Sequence, residues 1–146
     1  MELIENTLDV ELDEPLTRPL FCHLSTVSAE GNPRVSPLWF LWEDGALWII
    51  ADAEKSNPGR VADHPETAVA IVDSDPETGR VEHVGLRGRA TVEPFDAERS
   101  ERLLARYLGD EQSEWDERFA DLPEERWRLV RFEPETVVAR DQSYHV

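Results

Sequence analysis

The chain has 146 residues, with 32 acidic against 15 basic side chains and a formal net charge of −17. That length fits one domain, residues 1–146, around one core, and that charge repels nucleic acid and anionic membranes, so neither is expected as a partner. No apolar run approaches the roughly 20 residues that cross a bilayer, and Met1 to Leu12 holds acids but no base, so no secretory signal is expected.

The acids are spread along the whole chain. Self-repulsion on this scale destabilises a compact state in dilute buffer, and salt screens it. The expectation is adaptation to a high-salt cytoplasm. Cys22 is the only cysteine and sits in an apolar run, which suits a reduced, buried thiol in the same compartment.

Phe21 to Val27 is rich in β-formers, bounded by Pro19 and by the turn-like Ala29-Glu30-Gly31-Asn32-Pro33, and predicts a first strand. Val35 to Trp42 predicts a second and Ala46 to Ala51 a third, joined by an Asp44-Gly45 hairpin turn. On the second strand Val35, Pro37, Trp39 and Leu41 share one face, and Ser36, Leu38, Phe40 and Trp42 the other. Both faces are largely apolar. A barrel interior covers one, and a helix or second subunit must cover the other. Pro37 lacks a ladder donor, which predicts a bulge or an edge.

Asn57 is placed to cap a helix, Pro58 suits its first turn, and His64-Pro65 ends it. Thr67 to Asp73 predicts a fourth strand, Asp75 to Gly79 a loop, and Val81 to Glu93 a long fifth strand. Gly85 and Gly88 within it indicate a bulge or a close approach by another backbone. Asp96 caps a helix through Leu108, stopped by Gly109, and Ser113 to Ala120 predicts a shorter one. Arg126 to Phe132 and Thr136 to Arg140 read as a closing hairpin about Glu133-Pro134-Glu135. Parallel βαβ alternation is absent. The fold class is therefore mainly β with flanking helices, an antiparallel barrel.

Nucleophile elbows and phosphate-binding Gly-Lys-Ser/Thr loops are absent. With one cysteine and four scattered histidines, no metal site is expected. The informative segment is Ala51 to Arg60, which follows a strand and opens a helix. First-turn N–H groups and the positive dipole end favour an anion there. Lys55, the only lysine, and Arg60 add charge, Ser56 and Asn57 add hydrogen bonds, and Gly59 permits close approach. An ordinary capped helix with two surface cations fits the same residues. Trp39, Phe40, Trp42 and Trp48 suit a wall for a flat ring, and equally a core or a dimer interface.

In order and spacing these pieces resemble the FMN-binding split-barrel superfamily, specifically the pyridoxamine 5'-phosphate oxidase-like proteins. The resemblance is carried by Phe21 to Val27, Gly31 to Phe40 and the Asp44-Gly45 hairpin, then by Lys55 to Pro65, Glu66 to Val72 and Gly85 to Val92. It implies an antiparallel split β-barrel of roughly six or seven strands, working as a homodimer with flavin sites at the subunit interface. It implies FMN as cofactor. By position, Arg34, Ser36, Pro37, Leu38 and Trp39 would lie along the flavin ring and ribityl chain. Lys55, Ser56 and Asn57 would hold the phosphate, and Trp127 and Arg140 would complete the site from the second subunit.

Three departures stand out. Trp39 occupies the place of the family's second basic residue, Asn57 lies nearer than Lys55 to the usual lysine position, and the C-terminal substrate segment has no match. The implied function is an FMN-dependent oxidoreductase with a small-molecule substrate, in which the flavin carries the electrons and no side-chain nucleophile is needed. The resemblance equally admits a deazaflavin-dependent reductase, or a non-catalytic flavin- or haem-binding protein.

Overall fold

Side-chain alternation lays down most of the sheet. Cys22, Leu24 and Thr26 point inward from β2 (Cys22–Val27), while His23, Ser25 and Val27 point outward. The same period runs through β6 (Glu66–Asp75) and β7 (Arg80–Pro94), with Val69, Ile71, Val84 and Leu86 buried. A computed structural model describes all residues, Met1–Val146. Its other elements are β1 (Glu2–Asn6), α1 (Asp13–Thr17), β3 (Pro33–Leu38), β4 (Leu41–Glu43), β5 (Ala46–Asp52), α2 (Ser56–Asp63), α3 (Ala97–Leu108) and β8 (Trp127–Asp141). Two short 3-10 turns, Gln112–Glu114 and Glu117–Phe119, lie between α3 and β8.

All eight strands join one sheet in the order β3-β2-β6-β7-β8-β5-β4, with β1 alongside β8. β3 and β4 are the two ends of that path, yet only Trp39 and Phe40 separate them in sequence. Cα atoms across that link can stand no more than about 11 Å apart. The sheet must therefore curl until its ends nearly meet, which is the split barrel. Its interior holds Leu24, Phe40, Leu47, Ile49, Ile71, Leu86 and Phe132 in one cluster. A second, smaller cluster lies outside β5, where Trp48 and Leu129 pack under Leu103 and Leu104 of α3.

Several elements differ from the sequence reading. The expected second strand is broken at Trp39-Phe40, because the backbone of Phe40 is satisfied by α3 instead of a ladder. Its N–H donates to Tyr107 Oη at 3.0 Å, and its carbonyl accepts from Tyr107 and Arg106. Pro37 lies on an edge strand, where its missing donor costs nothing. The Asp44-Gly45 turn has positive φ at both residues, 56° and 71°, as a two-residue hairpin requires.

The closing hairpin is absent: β8 runs unbroken through Glu133-Pro134-Glu135. A register shift at Arg87/Gly88 absorbs the extra residue. Gly88 allows this, since a Cβ there would collide with the Glu133 carbonyl. Residues Ser113 to Ala120 form the two 3-10 turns instead of one α-helix. α2 starts two residues earlier than expected, with Lys55 at the cap position and Asn57 inside the helix. β1 and α1 were not anticipated. β1 pairs in parallel with β8, so the sheet is mostly, not wholly, antiparallel.

Candidate functional site

β5 carries the chain from the barrel interior to the start of α2. Ile49 and Ile50 lie midway, one toward each side, and Asp52 ends the strand opposite Trp127. A cavity of about 580 Å³ opens between the strands and α3, walled by Leu38, Trp39, Ile49, Ile50, Phe119 and Trp127, among others. A smaller one of about 210 Å³ continues to Asp52, Lys55 and Asn57. Leu38, Ile49, Ile50 and Trp127 line both, so the two form one trough from an aromatic end to the first turn of α2. The volumes lie in the small-molecule range. Trp39 is held flat by stacking on Tyr107, with ring centroids 4.5 Å apart and planes within 2°.

The other end of the trough is electropositive. No side chain caps α2, so its first-turn N–H groups are left for water or a ligand. Arg60 Nε donates to Thr26 Oγ1 at 2.8 Å, and its Nη2 donates to Asn57 Oδ1. Thr26 is paired with Arg34 across the β2–β3 ladder, so Arg34 projects from the same face. Lys55, Arg60 and Arg34 make no ion pair, while carboxylates engage most other cations of the chain. Asp52, the acid nearest this corner, is already engaged: Arg126 Nη2 lies 2.9 Å from its Oδ2. That hydrogen bond, with another from the Glu54 N–H, holds the Asp52 carboxyl below the usual carboxylate range.

The structure thus brings together Leu38, Trp39, Pro37 and Trp127 along the trough, with Lys55 and Asn57 at its cationic end. Ser36 and Arg34 share the inward face of β3 with Leu38. Ser56 is the exposed first residue of α2. Arg140 lies elsewhere within the chain, on the outer face of the sheet, where it pairs with Glu5 at 2.9 Å. Thr26 and Phe119 escaped the sequence reading, and Arg60 was read only as nearby charge. The Asn57–Arg60 spacing of one helical turn was the legible signal; the contact with Thr26 depends on tertiary packing.

Cys22 is fully buried, and burial pushes its thiol up to about 12, so it stays protonated and inert near neutrality. No three His, Cys, Asp or Glu side chains converge in a metal-ligand arrangement. No helix is long and apolar enough to cross a membrane.

A barrel split beside a trough with an anion-attracting end defines a class of cofactor-binding folds. Residues 8–139 match the pyridoxamine 5'-phosphate oxidase family model, and the chain belongs to that family. No curated protein sequence matches it. Among solved structures, one named F420 reductase shares 24% identity, with a TM-score of 0.67 and coverage of 89% of this chain and 98% of that one. The heme storage protein HutZ from Vibrio cholerae shares 15%, with a TM-score of 0.70 and coverage of 93% and 96%. An FAD-binding protein from Mesorhizobium loti shares 17%, with a TM-score of 0.66 and coverage of 93% and 96%. At these identities the likeness is one of fold.

Proposed function

We propose that the chain binds FMN in the trough and acts as a flavin-dependent oxidoreductase on a small molecule, as a homodimer in the cytoplasm. One observation carries this reading. In a chain with twice as many acids as bases, an uncapped helix start beside an aromatic trough carries Lys55 at its cap position and Arg60 one turn on, neither paired with a carboxylate. A phosphate is the group that such a corner suits.

FMN, when bound, supplies two-electron chemistry. The residues do the rest. Lys55, Arg60, Ser56 and the first-turn amides of α2 bind the phosphate, with Arg34 beside them. Leu38, Trp39 and Trp127 orient a flat ring, and Ile49 and Ile50 exclude water from its edge. No His, Cys, Met or Tyr lines the trough, which disfavours haem there, since haem iron needs an axial ligand. The neighbour named F420 reductase supports a deazaflavin as the second reading.

The outer sheet face supports the dimer. Val35 and Val72 are exposed there beside the small residues Ala68, Ala70 and Gly85, a flat surface that a second copy of the chain would cover. That copy would bring its Arg140 toward the neighbouring trough, whereas Trp127 already lines the trough of its own chain. The charge of −17 supports a salt-rich cytoplasm.

The test is reconstitution with FMN in molar salt, followed by desalting and an absorbance spectrum. One flavin per chain is the expected result, and a colourless protein overturns the reading. Retention of a deazaflavin in place of FMN selects the second reading. Steady-state turnover with a reductant and an acceptor separates an enzyme from a carrier, which is reduced once and stops.

A further inference from the structure

The trough has a further cation, at the end away from α2. Leu38, Ile49, Ile50 and Trp127 line both parts of the trough, whereas Phe21, Trp39, Arg118, Phe119 and Leu122 line only the larger one. These five therefore belong to the end away from Lys55. No acid lines the larger cavity, and Arg118 is its one charged side chain.

An aromatic ladder ties Arg118 to this wall. Trp39 stacks on Tyr107, and Phe119 packs on Trp39 with ring centroids 5.6 Å apart. The Arg118 guanidinium carbon in turn lies 5.4 Å from the Phe119 ring centroid, within cation–π reach. Its one carboxylate contact is loose: Nε lies 3.4 Å from Asp116 Oδ1, and both side chains are mostly exposed. Such a pair adds little to stability, so an incoming carboxylate displaces nothing costly. Nη1 and Nη2 make no hydrogen bond at all. That free fork suits two parallel bonds to a planar carboxylate.

FMN has no use for this group. On the flavin reading its phosphate goes to the α2 corner, and its ring carries no anionic substituent. An apolar cavity with one cation at its rim selects a molecule with an aromatic body and one anionic end. We propose that Arg118 binds the carboxylate of an aromatic acid whose body lies against Phe119 and Trp39. Resting on the flavin reading, such an acid is the substrate class, and it shares one undivided cavity with the ring.

The test uses the full chain in molar salt, with FMN and without it. Equilibrium dialysis measures 2-naphthoate and its uncharged isostere 2-naphthamide. With FMN bound, the acid should bind about five- to tenfold more tightly than the amide, the worth of a charge-assisted pair in strong salt. Arg118→Met should abolish that preference, Arg118→Lys should keep part of it, and neither should change FMN affinity. Equal binding of acid and amide, an undiminished preference in Arg118→Met, loss of FMN from that variant, or release of FMN by the acid overturns the proposal. A chain that retains no flavin yet shows the Arg118-dependent preference would remove the redox reading and keep the carboxylate subsite; flavin retention without the preference would do the reverse.

Discussion

Two groups of arginines sit on one barrel and behave oppositely. At the α1 side, Arg18 and Arg80 both bond Asp73 and Glu82, at 2.8–2.9 Å, and Arg18 also reaches Glu14. Both shared carboxylates are largely buried, and every charge has a partner. At the α2 side, Arg60 and Arg34 have no carboxylate, although acids outnumber bases two to one. With acids so abundant, pairing is the ordinary fate of a cation. On the proposed reading, the α2 corner keeps its cations free for an anion from outside, while the closed network holds the fold together.

The sharpest way to break that contrast is to strip the open corner. The double variant Lys55→Ala/Arg60→Ala should lose FMN affinity about a hundredfold, roughly 3 kcal/mol for two charge-assisted bonds, with thermal stability of the ligand-free chain little changed. Equal affinity in both proteins by fluorescence titration would remove the phosphate from this corner. The closed network should respond in reverse. Arg18→Met should destabilise the chain by about 2 kcal/mol in urea melts, because Asp73 and Glu82 keep only Arg80, while flavin affinity stays at the wild-type value. A flavin loss without a stability loss would undo the distinction.

A second closed site sharpens the comparison through pH. Glu43 accepts from Arg102 and Arg99, and those hydrogen bonds, Arg102 first, hold its carboxyl at about 2 against an ordinary 4.5. A carboxyl depressed in the folded state stabilises the fold above its unfolded value, and that contribution fades as pH falls from about 4.5 to about 2. Glu43→Gln should cost about 1 kcal/mol at pH 7 and flatten the acid limb of the stability curve over that window. An unchanged limb would show the pair to be idle. Smallest is Thr26→Val, which leaves Arg60 without one of its anchors. FMN should bind roughly threefold more weakly, by loss of positioning alone.

Local signals made much of this architecture legible. The Asp44-Gly45 turn, the Asp96 cap of α3 and the inward alternation of β2, β6 and β7 each depend on near neighbours in sequence. What escaped depends on distant partners. Glu133-Pro134-Glu135 has turn composition, yet Gly88 on β7 admits it as a bulge within one strand. β1 is acidic and mostly exposed, and only its pairing with β8 makes it a strand. At the site, the Lys55–Asn57 turn was visible because a helix start is local. The Trp39–Tyr107 stack and the Arg60–Thr26 bond were not, because α3 and β2 reach those positions through the fold.

β8 holds a singular position. β7 runs along one of its edges, while β5 and then β1 share the other. β1, β5 and β7 therefore all keep an unfilled edge until β8 is in place. Unfilled edges invite pairing between molecules, and repulsion among the chain's many acids opposes it.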